Sequence, residues 1–225
     1  MNTAVLGTGM VGRTIAARLA ELGHTVTIGT RDPEATLART EPDATGIPPF
    51  AAWASENPGI QVGGFADAAA GAELIINATN GGASLDVLAA AGAENLAGKV
   101  ILDIANPLDF SKGMPPTLFV KDTDSLGEQI QRTFPAARVV KALNTLNADL
   151  MARPAQLADP GTIFVSGNDA DAKNTVSGLL KDFGHQDVID LGDITTARGT
   201  EMLLPVWLRL WGALGTPAFN FKIVR

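Results

Sequence analysis

A glycine triplet near the start of the chain has the spacing of a phosphate-binding turn. The stretch VLGTGMVGRTIAARLAELGHTVTIGTRDPE spans residues 5–34 and contains Gly7-x-Gly9-x-x-Gly12. In this pattern Gly7 permits a tight turn, Gly9 leaves room for a pyrophosphate, and Gly12 lets the next helix pack close to the strand. The helix N-terminus adds free amides and the positive end of its dipole. Because the triplet follows an apolar strand and opens an amphipathic helix, it predicts a dinucleotide site rather than a turn that binds nothing.

The end of the predicted second strand indicates which dinucleotide is bound. A chain that prefers NAD usually has an acidic residue there, about 20 residues after the glycines, to hold the ribose hydroxyls. This chain has Thr30 and Arg31. Arg31 can pair with a 2′-phosphate and Thr30 can donate a hydrogen bond to it, so these residues favour NADP(H). The alternative is that Arg31 is a solvated surface residue and Asp32 holds the ribose of NAD.

Amide and hydroxyl side chains follow three further strands, at the edge where an open parallel sheet binds its ligands. Such groups suit a carboxamide, a ribose or the edge of a ring, and as purely structural groups they would cap loops. The predicted cofactor-binding residues are Gly7, Thr8, Gly9, Met10, Val11, Gly12, Thr30, Arg31, Asn77, Ala78, Thr79, Asn80, Ala105, Asn106, Pro107 and Asn144.

The same edge lacks an evident acid or base. The chain has no tyrosine, and His24 and His185 each precede a predicted strand, which would place both at the opposite end of the sheet. Hydride transfer between two stacked rings needs mainly proximity and orientation, whereas carbonyl reduction benefits from a proton donor. The sequence therefore favours ring-to-ring transfer. The candidate catalytic residue for the other reaction is Lys141, a cation inside an apolar strand, unless its ammonium reaches solvent.

Apolar runs of strand length alternate with helical patterns in the part of the chain that must position these groups. TAVLG, TVTIG, LIINAT, KVILDI and RVVKAL have the length and composition of buried strands. Their alternation with helical segments predicts βαβ units around a parallel sheet. After Asn147, TIFVSG, a helix over about 169–183 and DVIDLG add one more strand–helix–strand unit. The predicted fold class is α/β, a Rossmann-type doubly wound, mainly parallel sheet with this extra unit and a C-terminal helical tail.

Two segments outside the alternation have their own predictions. Residues 41–60 contain four prolines and are expected to form an irregular insertion. MLLPVWLRLWGALG at 202–215 is too short to span a membrane and contains Pro205 and Arg209, so it is expected to be a buried helix. Leu203, Trp207 and either Leu210 or Trp211 share one face of that helix, which favours packing on a core or a second subunit.

These patterns divide the chain into two parts. Residues 1–193 are predicted to form the NADP-binding domain, and residues 194–225 a helical segment that closes over the cleft and contributes to a homodimer. The net charge of −7 and the pI of about 4.8 argue against a nucleic-acid partner. The absence of cysteine excludes disulfides, thiolate metal sites and cysteine nucleophiles, so redox work requires a bound cofactor, and no metal site is predicted. Without an export signal or a membrane span, a cytoplasmic location is expected.

Motifs along nearly the whole chain resemble the family of coenzyme F420-dependent NADP oxidoreductases, whose fold also occurs as the NADPH-binding domain of STEAP metalloreductases. The resemblance runs through GTGMVGRTIAARLAELGHTVTIGTRDP, ELIINAT, KVILDIANPL, RVVKALNT, FVSGNDADAK and DLGDITTAR. It implies that Thr30 and Arg31 hold the 2′-phosphate of NADP and that F420 is a candidate second substrate. Some members have another basic residue just beyond, and none lies between Asp32 and Leu37, which predicts a milder NADP preference.

Three functions are compatible with these observations. The leading one is an NADPH-dependent oxidoreductase that transfers hydride between NADP(H) and a flavin-like or deazaflavin acceptor. The second is a reductase of a small carbonyl or imine, which would need a proton donor such as Lys141. The third is a redox sensor that binds NADP without turnover, which the missing acid and base groups also permit.

Overall fold

The computed structural model describes residues 1–42 and 46–225 as one eight-stranded sheet, flanking helices and a small two-stranded hairpin. The strands in chain order are β1 (Asn2–Leu6), β2 (Thr25–Thr30), β3 (Gln61–Gly64), β4 (Leu74–Asn77), β5 (Val100–Asp103), β6 (Leu108–Asp109), β7 (Thr117–Leu118), β8 (Arg138–Lys141), β9 (Thr162–Gly167) and β10 (Asp187–Gly192). β6 and β7 form the hairpin, and the other strands form the large sheet.

Helices connect most of these strands and cover both faces of the sheet. They are α1 (Met10–Glu21), α2 (Pro33–Ala38), α3 (Phe50–Glu56), α4 (Phe65–Ala70), α5 (Ser84–Ala91), α6 (Ala93–Leu96), α7 (Leu126–Thr133), α8 (Ala148–Ala152), α9 (Ala170–Phe183), α10 (Ala197–Met202) and α11 (Leu204–Leu214). Two buried apolar clusters result. One contains Ile15 and Leu19 of α1, and the other contains Leu88 of α5 and Ile130 of α7.

The strand order is β3-β2-β1-β4-β5-β8-β9-β10. The first six strands in this order are parallel and reproduce the doubly wound order of dinucleotide-binding proteins, with the switch point between β1 and β4. This confirms the predicted mainly parallel Rossmann-type fold. β9 pairs with β8 in the antiparallel direction, and β10 is parallel to β9, so the extra unit runs opposite to the rest.

The reversed direction of β9 and β10 corrects one prediction. His185 comes just before β10, and it therefore lies at the edge where the parallel strands end, not at the opposite edge. His24 precedes β2, which is parallel to β1, and it lies at the far edge as expected. A pattern of apolar residues does not encode strand direction, which is why the sequence placed His185 at the wrong end.

The proline-containing insertion and the C-terminal stretch also differ from their predictions. Residues 50–56 form α3, whose Phe50 is buried, so the insertion is not irregular there; residues 43–45 lie outside the described part of the chain. α11 is a helix as expected, but only Leu204 and Trp207 are buried, because none of the described residues covers its outer face. Among the described residues, no helix combines the length and the apolar character needed to cross a membrane.

The chain after α11 returns to the sheet. Thr162 at the start of β9 donates its backbone N–H to the carbonyl of Phe221 at 2.8 Å, and Asn147 donates its side-chain amide to the carbonyl of Pro217 at 2.7 Å. Trp207 stacks against Phe219 with ring centroids 5.4 Å apart. Residues 217–221 are thus attached to the start of β9 and to the loop after β8, at the sheet edge where ligands bind in this fold.

Candidate functional site

The glycine turn between β1 and α1 has the shape of a phosphate cradle. Gly7 has a φ of +124°, and a Cβ added there would lie 2.5 Å from the carbonyl oxygen of Ala78. A Cβ on Gly12 would lie 2.1 Å from the carbonyl oxygen of Gly7, which shows how closely α1 approaches the turn. A Cβ on Gly9 would meet nothing within 4 Å. The two tight positions and the open one between them match the three roles expected for a pyrophosphate-binding turn.

The N-terminus of α1 supplies the donors for this cradle. Gly9 is the N-cap residue and has no side chain to satisfy the first amides of the helix, which have no partner inside the helix. Met10, the first helical residue, is exposed. Free amides and the positive end of the helix dipole therefore face open space at Gly9, and the residues present fit a bound pyrophosphate.

Arg13 reinforces the turn, a role that sequence reasoning missed. Its Nε donates to the carbonyl of Thr8 at 2.8 Å, and its guanidinium donates to the carbonyl of Pro48 at 2.6 Å. The guanidinium also lies 5.3 Å from the centre of the Phe50 ring. Arg13 thus ties the glycine turn to the segment before α3, a contact that its position inside α1 does not reveal.

The residues at the end of β2 distinguish between NADP and NAD as the cofactor. The carboxylate of Asp32 accepts a hydrogen bond from the backbone N–H of Ala35 at 2.9 Å and caps α2, so one of its oxygens is already engaged by its own helix. Arg31 is exposed and lines a cavity of about 260 Å³ between the ends of β2 and β3 and the helices α4 and α5. The local geometry favours Arg31, not Asp32, as the residue that meets the ribose.

Thr30 is less accessible than the sequence suggested. Its hydroxyl is 2.9 Å from the hydroxyl of Thr36, and both residues are buried. Two hydroxyls that share one hydrogen bond still keep one proton free. The pair can therefore donate one bond to an anion beside Arg31, although Thr30 is also held in place by α2.

A second cavity of about 250 Å³ lies past the ends of β4, β5 and β8. Six predicted cofactor-binding residues meet there, together with apolar groups from the β6 strand and α8 that sequence reasoning missed. Its lining residues are Val11, Ala78, Thr79, Asn80, Gly81, Ile104, Ala105, Asn106, Leu108, Phe110, Leu146 and Met151. None of these twelve side chains is charged. In proteins of this fold a dinucleotide lies across the switch point, and this cavity is on the β4 side of it.

Asn144 and Pro107 support this cavity from behind. The side-chain amide of Asn144 donates to Asn106 Oδ1 and to the carbonyl of Thr200, both at 3.0 Å, and Asn106 donates back to the carbonyl of Asn144 at 2.8 Å. The carbonyl of Pro107 accepts from the N–H of Phe119 at 3.0 Å. These residues fix the loops after β5 and β8, and their polar groups are engaged by the protein itself.

Asn77 starts a buried hydrogen-bond network under the cavity. Its side-chain amide donates to Asp103 Oδ1 at 2.8 Å and to the hydroxyl of Ser84 at 3.1 Å, and its Oδ1 accepts from the hydroxyl of Thr79 at 2.7 Å. Asn77 is completely buried, whereas Thr79 lines the cavity. The network therefore connects the cavity wall to the carboxylate at the end of β5.

Lys141 continues this network, and its ammonium does not reach solvent, so the alternative of an exposed lysine is wrong. Its side chain is 0% exposed, and its Nζ lies 2.8 Å from both Asp103 Oδ2 and Glu201 Oε1. A third contact goes to the carbonyl of Ala105 at 2.5 Å. Burial alone would lower the pKa of Lys141, but the charges of Asp103 and Glu201 outweigh it and raise that pKa. All three N–H groups are engaged, so the structure does not present Lys141 as a proton donor to the cavity.

The two histidines have structural surroundings. The Nε2 of His185 lies 2.9 Å from the carbonyl of Met151 at the end of α8, and burial lowers the pKa of His185. His24 lies 3.5 Å from the hydroxyl of Thr3 on the far edge, and burial is also the main cause of its lowered pKa. Both rings are therefore neutral near pH 7, and neither lines the cavity.

The strand order and the open glycine turn define a dinucleotide-binding protein of the doubly wound class. Residues 2–107 match the model of the family described as NADP oxidoreductase, coenzyme F420-dependent. A crystal structure provisionally described as an F420-dependent NADP reductase from Arthrobacter sp. FB24 is 68% identical, covers 100% of both chains and superposes with a TM-score of 0.96. The chain therefore belongs to the coenzyme F420-dependent NADP oxidoreductase family.

Two curated relatives extend this comparison. The metalloreductase STEAP3 of Rattus norvegicus is 30% identical over 92% of this chain and 38% of its own length. The F420-dependent NADP reductase of Methanocaldococcus jannaschii is 31% identical over 52% of each chain. The chain thus spans about half or less of the length of these two relatives, so their complete activities do not transfer with the likeness.

Proposed function

We propose that this chain binds NADP(H) in an extended conformation along the ends of the parallel strands. The pyrophosphate would lie against the open turn at Gly9, the 2′-phosphate beside Arg31, and the nicotinamide in the uncharged cavity past β4 and β5. Family membership, the open space at Gly9 and the exposed cation at the end of β2 support this arrangement. This arrangement places the pyrophosphate, the 2′-phosphate and the nicotinamide at three different features of the sheet edge where the parallel strands end.

The reaction we propose is hydride transfer between NADP(H) and a flavin-like or deazaflavin ring, with F420 as the candidate. The observation that carries this proposal is the uncharged lining of the nicotinamide cavity, whose polar groups are amides and hydroxyls. Such a cavity can orient two flat rings, whereas reduction of a carbonyl benefits from a positioned proton donor. The ion-paired state of Lys141 removes the residue that the carbonyl reaction would use.

An acceptor screen that follows NADPH absorbance tests this function. F420, FMN, FAD, ferric chelates, small carbonyls and small imines are each offered to the protein, with Gly9→Val as a control that lacks the pyrophosphate site. We expect oxidation with F420 or a flavin and none with carbonyls or imines. Turnover of a carbonyl or imine that is lost in Lys141→Ala would favour the small-substrate reductase. Tight NADPH binding without turnover of any acceptor would favour a redox sensor.

We also propose that the protein is a homodimer formed through its C-terminal segment. Val206, Trp211 and Leu214 of α11 are exposed, and so are Phe110 and Met114 of the neighbouring hairpin loop. A depression of about 590 Å³ lies between the hairpin loop and α11 and is lined by Met114 and Trp211, together with Leu208 and Arg209. Exposed apolar residues gathered on neighbouring elements are typical of interaction surfaces, and a second copy of the chain is the partner proposed here.

A further inference from the structure

Lys141, Asp103 and Glu201 form a buried ionic triad whose protonation state follows from its contacts. The carboxylate of Asp103 receives only donors, from Lys141, from Asn77 and from the backbone N–H of Ala105 at 3.2 Å. The carboxylate of Glu201 also receives only donors, from Lys141 and from the first backbone amides of α7, at 2.8 Å from Leu126 and 3.0 Å from Gly127. A protonated carboxyl would have to donate, so both groups are ionised.

The triad therefore has an excess of one negative charge. Two carboxylates face one ammonium, and the side chains of all three residues are 0–1% exposed. The nearby pair of Glu128 and Arg198 is neutral as a unit. The α7 amides stabilise the excess charge, but they are dipoles and do not cancel it.

This charge lies directly beneath the floor of the nicotinamide cavity. Asp103 accepts from the N–H of Ala105, Lys141 donates to the carbonyl of Ala105, and Ala105 lines the cavity. None of the twelve described lining residues carries a charge that could oppose it. The dihydronicotinamide of NADPH is neutral, whereas the nicotinamide ring of NADP⁺ carries one positive charge. A fixed negative charge behind the floor must then favour one oxidation state over the other.

We propose that the buried excess charge of Asp103, Lys141 and Glu201 stabilises NADP⁺ relative to NADPH in this cleft and so makes bound NADPH a stronger hydride donor. When the hydride leaves C4 of the dihydronicotinamide, that ring gains its positive charge. The flavin-type acceptor takes the electron pair with the hydride, together with one proton from solvent. The three residues touch no reacting atom and act on the reaction through the field alone. This inference rests on the proposed binding of NADP(H).

Removal of one carboxylate charge tests the proposal. Calorimetric titrations with NADP⁺, NADPH and 2′,5′-ADP are compared for the wild type, Glu201→Gln and Asp103→Asn. Glu94→Gln is the control, because Glu94 is exposed on α6, before β5 and at the opposite edge of the sheet. At the effective dielectric of protein interiors, one unit charge at short range changes such a ratio by about tenfold, so we expect Kd(NADP⁺)/Kd(NADPH) to rise about tenfold in both variants. The ratio should not change in Glu94→Gln.

The outcomes separate a field effect from a structural one. A purely structural role for the triad would weaken both cofactors equally, and an unchanged ratio in folded Glu201→Gln or Asp103→Asn would overturn the proposal. The variants lie on different elements, α10 and β5, so either one that folds decides the question. The third ligand, 2′,5′-ADP, has no nicotinamide. If the wild type binds neither it nor NADPH, the proposed function itself fails, whereas intact binding with an unchanged ratio rejects only this inference.

Discussion

Arg31 is the residue on which the choice of cofactor depends. It is exposed at the end of β2, in the wall of its own small cavity, while the neighbouring carboxylate of Asp32 caps α2. A charge-assisted hydrogen bond is worth about 1.5–3 kcal/mol. Arg31→Ala should therefore weaken NADPH binding about tenfold to a hundredfold and hardly affect NADH, which has no phosphate there. Calorimetric titration of both cofactors measures the difference.

The control for this prediction is Arg39→Ala. Arg39 is an exposed arginine at the other end of α2, and its removal changes the net charge by the same amount. We expect no selective loss of NADPH in this variant. Equal losses of NADH and NADPH in Arg31→Ala would mean that Arg31 serves the fold or the shared pyrophosphate, and the NADP assignment would have to be withdrawn.

At the scale of elements, two glycines of the turn that joins β1 to α1 have different roles, one in cofactor binding and one in protein stability. Gly9 has an extended backbone, with φ −74° and ψ −177°, and a Cβ there meets nothing within 4 Å. Gly9→Val should therefore fold with an unchanged thermal midpoint and lose NADPH binding, because its side chain occupies the proposed pyrophosphate position. Gly12→Ala should instead destabilise the protein by on the order of 3 kcal/mol, because its Cβ would collide with the turn.

Thermal unfolding and NADPH titration of the two glycine variants check this contrast. Unchanged NADPH affinity in folded Gly9→Val would contradict the phosphate cradle. A fully stable Gly12→Ala would mean that α1 can shift away from the turn, and the close packing seen at Gly12 would then not be needed for the fold.

The buried contact between His185, which lies just before β10, and α8 should make stability depend on pH. Burial lowers the folded-state pKa of His185 below its ordinary value of about 6.5. As the pH falls below the ordinary value of about 6.5, His185 takes up a proton in the unfolded chain but not in the folded chain. The free energy of unfolding therefore decreases. The stability that His185 contributes is thus present above about pH 6.5 and is lost below it.

Urea unfolding of the wild type and His185→Gln between pH 7.5 and 5.5 measures this effect. His185→Gln should lower stability at pH 7 and flatten the pH dependence. The chain has only two histidines, so His24→Gln is the matched variant, and its effect on the slope should be smaller because His24 is less buried. An identical pH slope in the wild type and His185→Gln would show that His185 is not the group that titrates.

At the scale of the whole molecule, the sequence predicted features formed by neighbouring residues and missed contacts between residues far apart in the chain. Gly7, Gly9 and Gly12 lie within six residues and carry their own geometry, so the turn and the strands around it were predicted correctly. The antiparallel direction of β9 is set by its packing against β8, which no local pattern records. Glu201 reaches Lys141 only because α10 folds back over the end of β8, and the buried triad was therefore invisible in the sequence.

The homodimer is the remaining prediction at this scale. Trp211 is 40% exposed and lines the depression beside the hairpin loop, and Leu214, further along α11, is 56% exposed. The double variant Trp211→Glu, Leu214→Glu should place two charges in the proposed interface and give a folded monomer by light scattering, because a buried unpaired charge is costly. Leu37→Glu is the control, since Leu37 is 42% exposed on α2 and away from this surface. It should remain a dimer. A wild type that is already monomeric would contradict the proposal, and the exposed face of α11 would then need another partner.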